Sequence, residues 1–136
     1  MIVIAFVDDK KGMMFNHRRQ SRDRAVTERI QINCKGKKLW MNLYSEQLYG
    51  SLEEVDIMVE NDFLSLAGKG EFCLVESNSL MPFVEKMEEV ILYRWNRTYP
   101  ADVYLDLDLL QWERKEWHEF RGSSHEKITE ERYERR

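Results

Sequence analysis

Residues 2–16 read IVIAFVDDKKGMMFN, and the first six of them are apolar and rich in β-branched side chains. A continuous apolar run of this length predicts a strand that is buried on both faces, as in a sheet covered by helices. Asp8, Asp9 and Gly12 end the run and predict a loop after it. We therefore expect an α/β domain whose sheet includes this strand.

In the segments that follow, predicted strands alternate with predicted helices, which is typical of parallel sheets. Further strands are predicted at 39–42, 55–60, 72–76 and 88–95. Helices are predicted at 22–32, 45–49, 63–68 and 79–87, the first with Ser21 or Asp23 near its N-cap. This order predicts a mainly parallel sheet with helices on both faces. Strands are also predicted at 103–107, 112–120 and 127–134, the last two forming an antiparallel hairpin around 121–125.

The composition indicates a single globular domain that spans residues 1–136. A net charge of -4 argues against general nucleic-acid binding, and no apolar run approaches the ~20 residues of a membrane helix. Cys34 and Cys73 are predicted to be buried free thiols in a reducing compartment, which favours a cytoplasmic protein. The three histidines fit no metal-binding pattern, so no metal site is predicted.

Positive charge is concentrated directly after the first strand. Residues 17–24 read HRRQSRDR and contain four arginines and one histidine. In one interpretation this is a solvated surface loop whose arginines pair with Asp8, Asp9, Asp23 or Glu28. In the other it binds an anion, because it leads into a helix N-terminus at the carboxyl end of a parallel strand. The predicted ligand-binding residues are Asn16, Arg18, Arg19, Gln20, Ser21 and Arg22.

Several segments resemble the dihydrofolate reductase family in the same order. IVIAFVDDKKGMMFN is similar to the family's opening strand and loop, with Ala5, Val7, Asp8, Gly12 and Asn16 in step. The resemblance continues through GKKLWMN (36–42), EKMEEVILYRW (85–95), ADVYLDLDLLQWERKEW (101–117) and ITEERYERR (128–136). It implies a mostly parallel sheet flanked by helices, with an antiparallel C-terminal hairpin.

The residues that this resemblance would assign to catalysis are mostly replaced. Asp23 stands where the family keeps its catalytic acid, but the neighbouring Trp and two Pro are absent. Ser45 matches a cofactor-binding Thr, without the Arg that accompanies it. The family's Gly-Gly pair is replaced by Glu76-Ser77, and a carboxylate there would repel the pyrophosphate of NADP. The chain is also short for the family.

Our leading hypothesis is a small cytoplasmic protein of this fold that binds an anionic small molecule or nucleotide and needs no cofactor. The first alternative is a diverged NADPH-dependent reductase of a pterin-like substrate, in which Asp23 supplies the proton and Ser45 contacts the cofactor. The second is a protein-interaction module whose basic loop meets an acidic partner. Residues 126–136 are predicted to form a solvated strand, and Trp112 and Trp117 to pack on the sheet.

Overall fold

The apolar run at the start of the chain forms β1 (Ile2–Val7), and all six of its residues are buried. In the computed structural model, which describes residues 1–136, β1 lies inside a seven-stranded sheet. It pairs in parallel with β6 (Phe72–Val75) on one side and with β7 (Glu89–Arg94) on the other. β1 is therefore an interior strand, and the burial of all six residues shows that both of its faces are covered, as its sequence predicts.

The remaining elements follow the predicted alternation. The other strands are Gly12–Phe15 (β2), Arg18–Arg19 (β3), Lys38–Met41 (β4), Asp56–Val59 (β5), Val103–Tyr104 (β8), Trp112–Phe120 (β9) and Ile128–Arg135 (β10). The helices are Arg24–Cys34 (α1), Leu43–Tyr49 (α2) and Phe63–Leu66 (α3), with 3₁₀ helices at Met81–Lys86 and Leu109–Gln111. The main sheet has the order β5-β4-β6-β1-β7-β10-β9. β10 is antiparallel to both of its neighbours, β7 and β9, and all other pairs in this sheet are parallel, so the predicted fold class is confirmed.

Two hydrophobic cores lie on opposite faces of this sheet. Val3, Ala5 and Val7 face the core that contains α3 and Trp112. The alternate residues of β1 face the core formed with α1 and with Tyr49 of α2. Because neighbouring side chains of a strand point to opposite faces, one apolar run supplies both cores. None of the helices combines the length and the apolar character needed to cross a membrane.

The stretch after β1 forms two short strands where its sequence predicts a loop. β2 and β3 form an antiparallel hairpin, and β8 pairs with β2 to complete a small three-stranded sheet. Asn16 and His17 form the turn, with φ values of 50° and 62°. Two successive positive φ angles are typical of the tight turns that connect hairpin strands. The strand predicted at 103–107 shortens to β8 and joins this sheet instead of the main one.

The prediction that residues 126–136 form a solvated strand is wrong. Ile128, Thr129, Glu130 and Glu131 of β10 are all buried. The buried carboxylates of Glu130 and Glu131 are stabilised because each one pairs with at least one arginine side chain. Two hydrogen bonds of 3.1 and 2.9 Å join Arg29 to Glu130, and Arg94 and Arg114 donate to Glu131.

The two tryptophans of β9 differ in their packing. Trp112 is buried in the core, as predicted, whereas the side chain of Trp117 is 55% exposed. Trp117 stacks under the guanidinium of Arg114, with 3.9 Å between the guanidinium carbon and the ring centroid. The prediction that Trp117 packs on the sheet is therefore wrong, because β9 is the edge strand and its middle residues face solvent.

Candidate ligand site at the first helix

Helix α1 begins at the end of the basic stretch, and Asp23 is its N-cap. The Asp23 carboxylate accepts a hydrogen bond from the Ala25 N–H at 2.9 Å, which satisfies one of the donors left free at a helix start. The Asp23 backbone is extended, with φ of -154°. The predicted position of the cap is therefore confirmed.

The same carboxylate anchors the turn of the C-terminal hairpin. The backbone N–H groups of Ser123 and Ser124 donate to its two oxygens at 2.9 Å each, and both serine hydroxyls donate as well. His125 Nδ1 lies 2.9 Å from Asp23 Oδ2. A Cβ atom on Gly122 would lie 2.3 Å from Asp23 Oδ2, so this turn fits against Asp23 only with glycine there.

These contacts set the charge state of Asp23. Burial by itself raises the pKa of the carboxyl group, but the hydrogen bonds from His125 and from three backbone N–H groups outweigh it. Together they hold the pKa of Asp23 well below its ordinary value. These hydrogen bonds therefore favour the ionised form of Asp23 at neutral pH.

A second polar cluster joins Arg19, Glu76 and Ser45. Arg19 donates two hydrogen bonds to the Glu76 carboxylate, at 2.8 and 2.9 Å. Ser45 Oγ donates to the same carboxylate at 2.9 Å, and the Arg19 guanidinium lies over the ring of Tyr44. The pairing with Glu76 raises the pKa of Arg19. The expected pairing of this arginine with Asp8, Asp9, Asp23 or Glu28 is wrong.

Other predicted ligand residues also have partners within the chain. Gln20 Nε2 donates to the Asp8 carboxylate at 3.1 Å and to the Pro100 carbonyl at 3.2 Å. The backbone N–H of Asn16 donates to Asp102 at 3.0 Å. Ser21 Oγ lies 2.9 Å from His125 Nε2. These contacts fold the basic stretch against the sheet.

The basic stretch is divided between two cavities. Arg18 borders a cavity of about 410 Å³ beside the β2–β3 hairpin. Arg22 and Arg24 border a cleft of about 550 Å³ at the N-terminus of α1. The residues that line this α1 cleft are Arg22, Asp23, Arg24, Thr27, Leu48, Ser123 and Ser124. Arg22 and Arg24 are exposed, and neither forms an ion pair.

Sequence reasoning missed the contribution of the turn at residues 121–125, which it treated as a connection only. The signal in the sequence was composition, because Gly122, Ser123 and Ser124 are small residues whose backbone N–H groups and hydroxyls can donate hydrogen bonds. Ser123 and Ser124 bring their hydroxyls into the α1 cleft from about a hundred residues away in the sequence. No group of three or more His, Cys, Asp or Glu is arranged to hold a metal ion.

A solved structure shares this arrangement of strands and helices. It is the dihydrofolate reductase from Enterococcus faecalis, in complex with NADP(H) and RAB-propyl. The match has a TM-score of 0.70 and covers 98% of this chain and 95% of the reductase chain. The chain has a dihydrofolate-reductase-like fold.

The sequences behind this shared fold are far apart. Identity over the match is 12%, and no family model and no curated protein matches the chain. At this distance the dihydrofolate-reductase-like fold is what the two proteins share, and activity has to be argued from the residues of the site.

Proposed function

We propose that this protein binds an anionic small molecule or nucleotide in the α1 cleft, as a cytoplasmic member of the dihydrofolate-reductase-like fold. The observation that carries the proposal is the pair Arg22 and Arg24, which border the cleft without an acidic partner. Arginine suits this task because its planar guanidinium makes paired hydrogen bonds to phosphate or carboxylate. Cys34 and Cys73 are buried free thiols, which supports a reducing compartment.

The charge balance of the cleft favours an anion. Asp23 is the one acidic residue that lines it, so two arginines and one carboxylate give a formal charge of +1. The Asp23 oxygens already accept hydrogen bonds from the chain and face inward. The N-terminus of an eleven-residue helix adds partial positive charge. Ser123 and Ser124 form the opposite wall, where their hydroxyls bond to Asp23 and add no negative charge.

The residues of the site support binding more than reduction by NADPH. Ser45 Oγ and Arg19 are both engaged by Glu76, and this buried carboxylate would repel a pyrophosphate. Asp23 is ionised and fully hydrogen bonded, so it is poorly suited to deliver a proton. The residues present therefore do not fit the cofactor of the alternative hypothesis. In this proposal Arg22 binds the anion, and Arg24 takes the binding role predicted for Arg19, because Arg19 is paired with Glu76.

The proposal is tested by titrating the protein calorimetrically with inorganic pyrophosphate and with ATP at low ionic strength. Replacing both Arg22 and Arg24 by glutamine should weaken binding at least tenfold, because each charge-assisted hydrogen bond contributes ~1.5–3 kcal/mol. A matched control replaces Arg18 and Arg97, two exposed arginines outside the cleft that form no ion pair, and should bind as the wild type does.

Equal loss in both double variants would point to nonspecific charge attraction and would contradict the proposal. A change of tryptophan fluorescence on titration with micromolar NADPH would favour the reductase instead. An acidic protein partner that requires Arg18, with no response to either small anion, would favour the interaction module.

A further inference from the structure

Ser21, His125 and Asp23 form a continuous chain of hydrogen bonds. Ser21 Oγ lies 2.9 Å from His125 Nε2, and His125 Nδ1 lies 2.9 Å from Asp23 Oδ2. The side chains of His125 and Asp23 are 3% and 0% exposed, whereas Ser21 is partly exposed. The same arrangement occurs in catalytic triads, where a nucleophile bonds to a general base and a carboxylate orients that base. Ser21, His125 and Asp23 stand in these three positions.

The imidazole is held in one orientation. Asp23 is fixed by the backbone of α1 and of the hairpin turn. Because an ionised carboxylate can only accept, it favours the tautomer in which Nδ1–H donates to Asp23 and Nε2 keeps a lone pair. Trp95 stacks on the ring, with 4.8 Å between the ring centroids. The Tyr99 hydroxyl also lies near Nε2, at 3.1 Å, and so lies beside the same ring nitrogen as the Ser21 hydroxyl. The base is therefore preorganised toward Ser21.

Ser21 lies in the chain between the residues that border the two cavities, and unpaired backbone donors flank it. The residues on either side of Ser21 in the sequence, Gln20 and Arg22, border the two cavities. The backbone N–H groups of Ser21 and Arg22 donate to no other protein atom. Such free N–H groups next to a nucleophile are the donors that stabilise the oxyanion of acyl transfer.

We propose that Ser21 is the nucleophile of an ester-hydrolysing site that accepts small carboxylic esters. Ser21 Oγ bonds to the carbonyl carbon while His125 Nε2 takes the hydroxyl proton. The ester C–O bond then breaks, and His125 returns that proton to the departing alcohol. Water attacks the acyl-serine and gives a proton to His125, and the carboxylic acid leaves as Ser21 Oγ regains its proton. This proposal does not depend on anion binding, so either can fail alone.

The test measures hydrolysis of p-nitrophenyl acetate and covalent labelling by a fluorophosphonate, with mass spectrometry to locate the label. The wild type should hydrolyse the ester and carry the label on Ser21. Ser21→Ala should lose at least a hundredfold in rate and all labelling. The control Ser65→Ala changes an exposed serine of α3 and should match the wild type.

Circular dichroism melting establishes that each variant is folded. Ser21→Cys is a second variant, which should keep acyl-group formation and add labelling by iodoacetamide at position 21. The proposal is overturned if the folded wild type hydrolyses the ester no faster than Ser21→Ala. It is also overturned if the fluorophosphonate labels another residue or none.

Discussion

Replacement of Asp23 by asparagine exchanges one carboxylate oxygen for an NH₂ group. It should be among the most destabilising single substitutions in this chain. Oδ1 accepts from Ala25 and Ser123, and Oδ2 accepts from Ser124 and His125. An asparagine keeps one oxygen but places an N–H₂ group where the other stood. That group would then face two N–H donors and one serine hydroxyl, which can turn away. Two charge-assisted hydrogen bonds are therefore lost, and two N–H donors are left without acceptors.

The magnitude follows from those two bonds. Each hydrogen bond to a charged group contributes about 1.5–3 kcal/mol, which gives ~3–6 kcal/mol before any relaxation of the turn. We expect Asp23→Asn to lower the free energy of unfolding by about 3–5 kcal/mol, a large share of the ~5–15 kcal/mol typical of a domain. Urea denaturation followed by tryptophan fluorescence measures this loss.

A matched control exists in the same fold. Asp62 is the N-cap of α3, but its side chain makes no capping hydrogen bond. Asp62→Asn should therefore change the free energy of unfolding by less than about 0.5 kcal/mol. A loss below about 1 kcal/mol for Asp23→Asn, or equal losses for the two variants, would refute the argument that Asp23 joins α1 to the hairpin turn.

The depressed pKa of Asp23 adds a pH dependence with a definite sign. The folded carboxyl binds its proton more weakly than the unfolded one, whose pKa is about 3.9. Its stabilisation is therefore fully present above that value and is lost as the pH falls toward the folded pKa. The difference in stability between the wild type and Asp23→Asn should shrink as the pH is lowered below about 4.

Three further substitutions test other contacts. Glu76→Gln should cost about 2–4 kcal/mol in urea denaturation, since it leaves the largely buried Arg19 without its counter-charge; a loss no larger than that of the exposed Glu53→Gln would contradict the cluster. His17→Gly should raise the free energy of unfolding by about 0.5–1 kcal/mol, because φ of 62° strains a residue with a Cβ; a lowered melting temperature would argue against this turn. Gly122→Ala should cost more than about 2 kcal/mol, because its Cβ would overlap the Asp23 carboxylate; a melting temperature like that of the wild type would exclude the close approach.

The sheet could be predicted from the sequence because its determinants are local. Each buried strand is a short apolar run with its own ends, and the order of strands and helices restricts the topology. The N-cap role of Asp23 is local as well, since it depends on the residue type and on the helix that follows. The resemblance to dihydrofolate reductases implied the same mostly parallel sheet with an antiparallel C-terminal hairpin.

The candidate site could be predicted only in part, because its contacts join distant segments. Arg19 and Glu76 are 57 residues apart, and Asp23 and His125 are 102 residues apart. Nothing in the local sequence of Glu130 distinguishes a buried carboxylate from a solvated one, because its arginine partner comes from α1. The structure places residues of the basic stretch beside two cavities, but the sequence could not show which arginines would be paired.

The most direct test of anion binding in the α1 cleft is a titration of ¹⁵N-labelled protein with inorganic pyrophosphate, followed by amide chemical shifts. We predict saturable shifts at Arg22, Arg24, Ser123 and Ser124, and their loss when Arg22 and Arg24 are both replaced by glutamine. Shifts confined to the β2–β3 hairpin around Arg18, or no saturable shifts at all, would contradict the account.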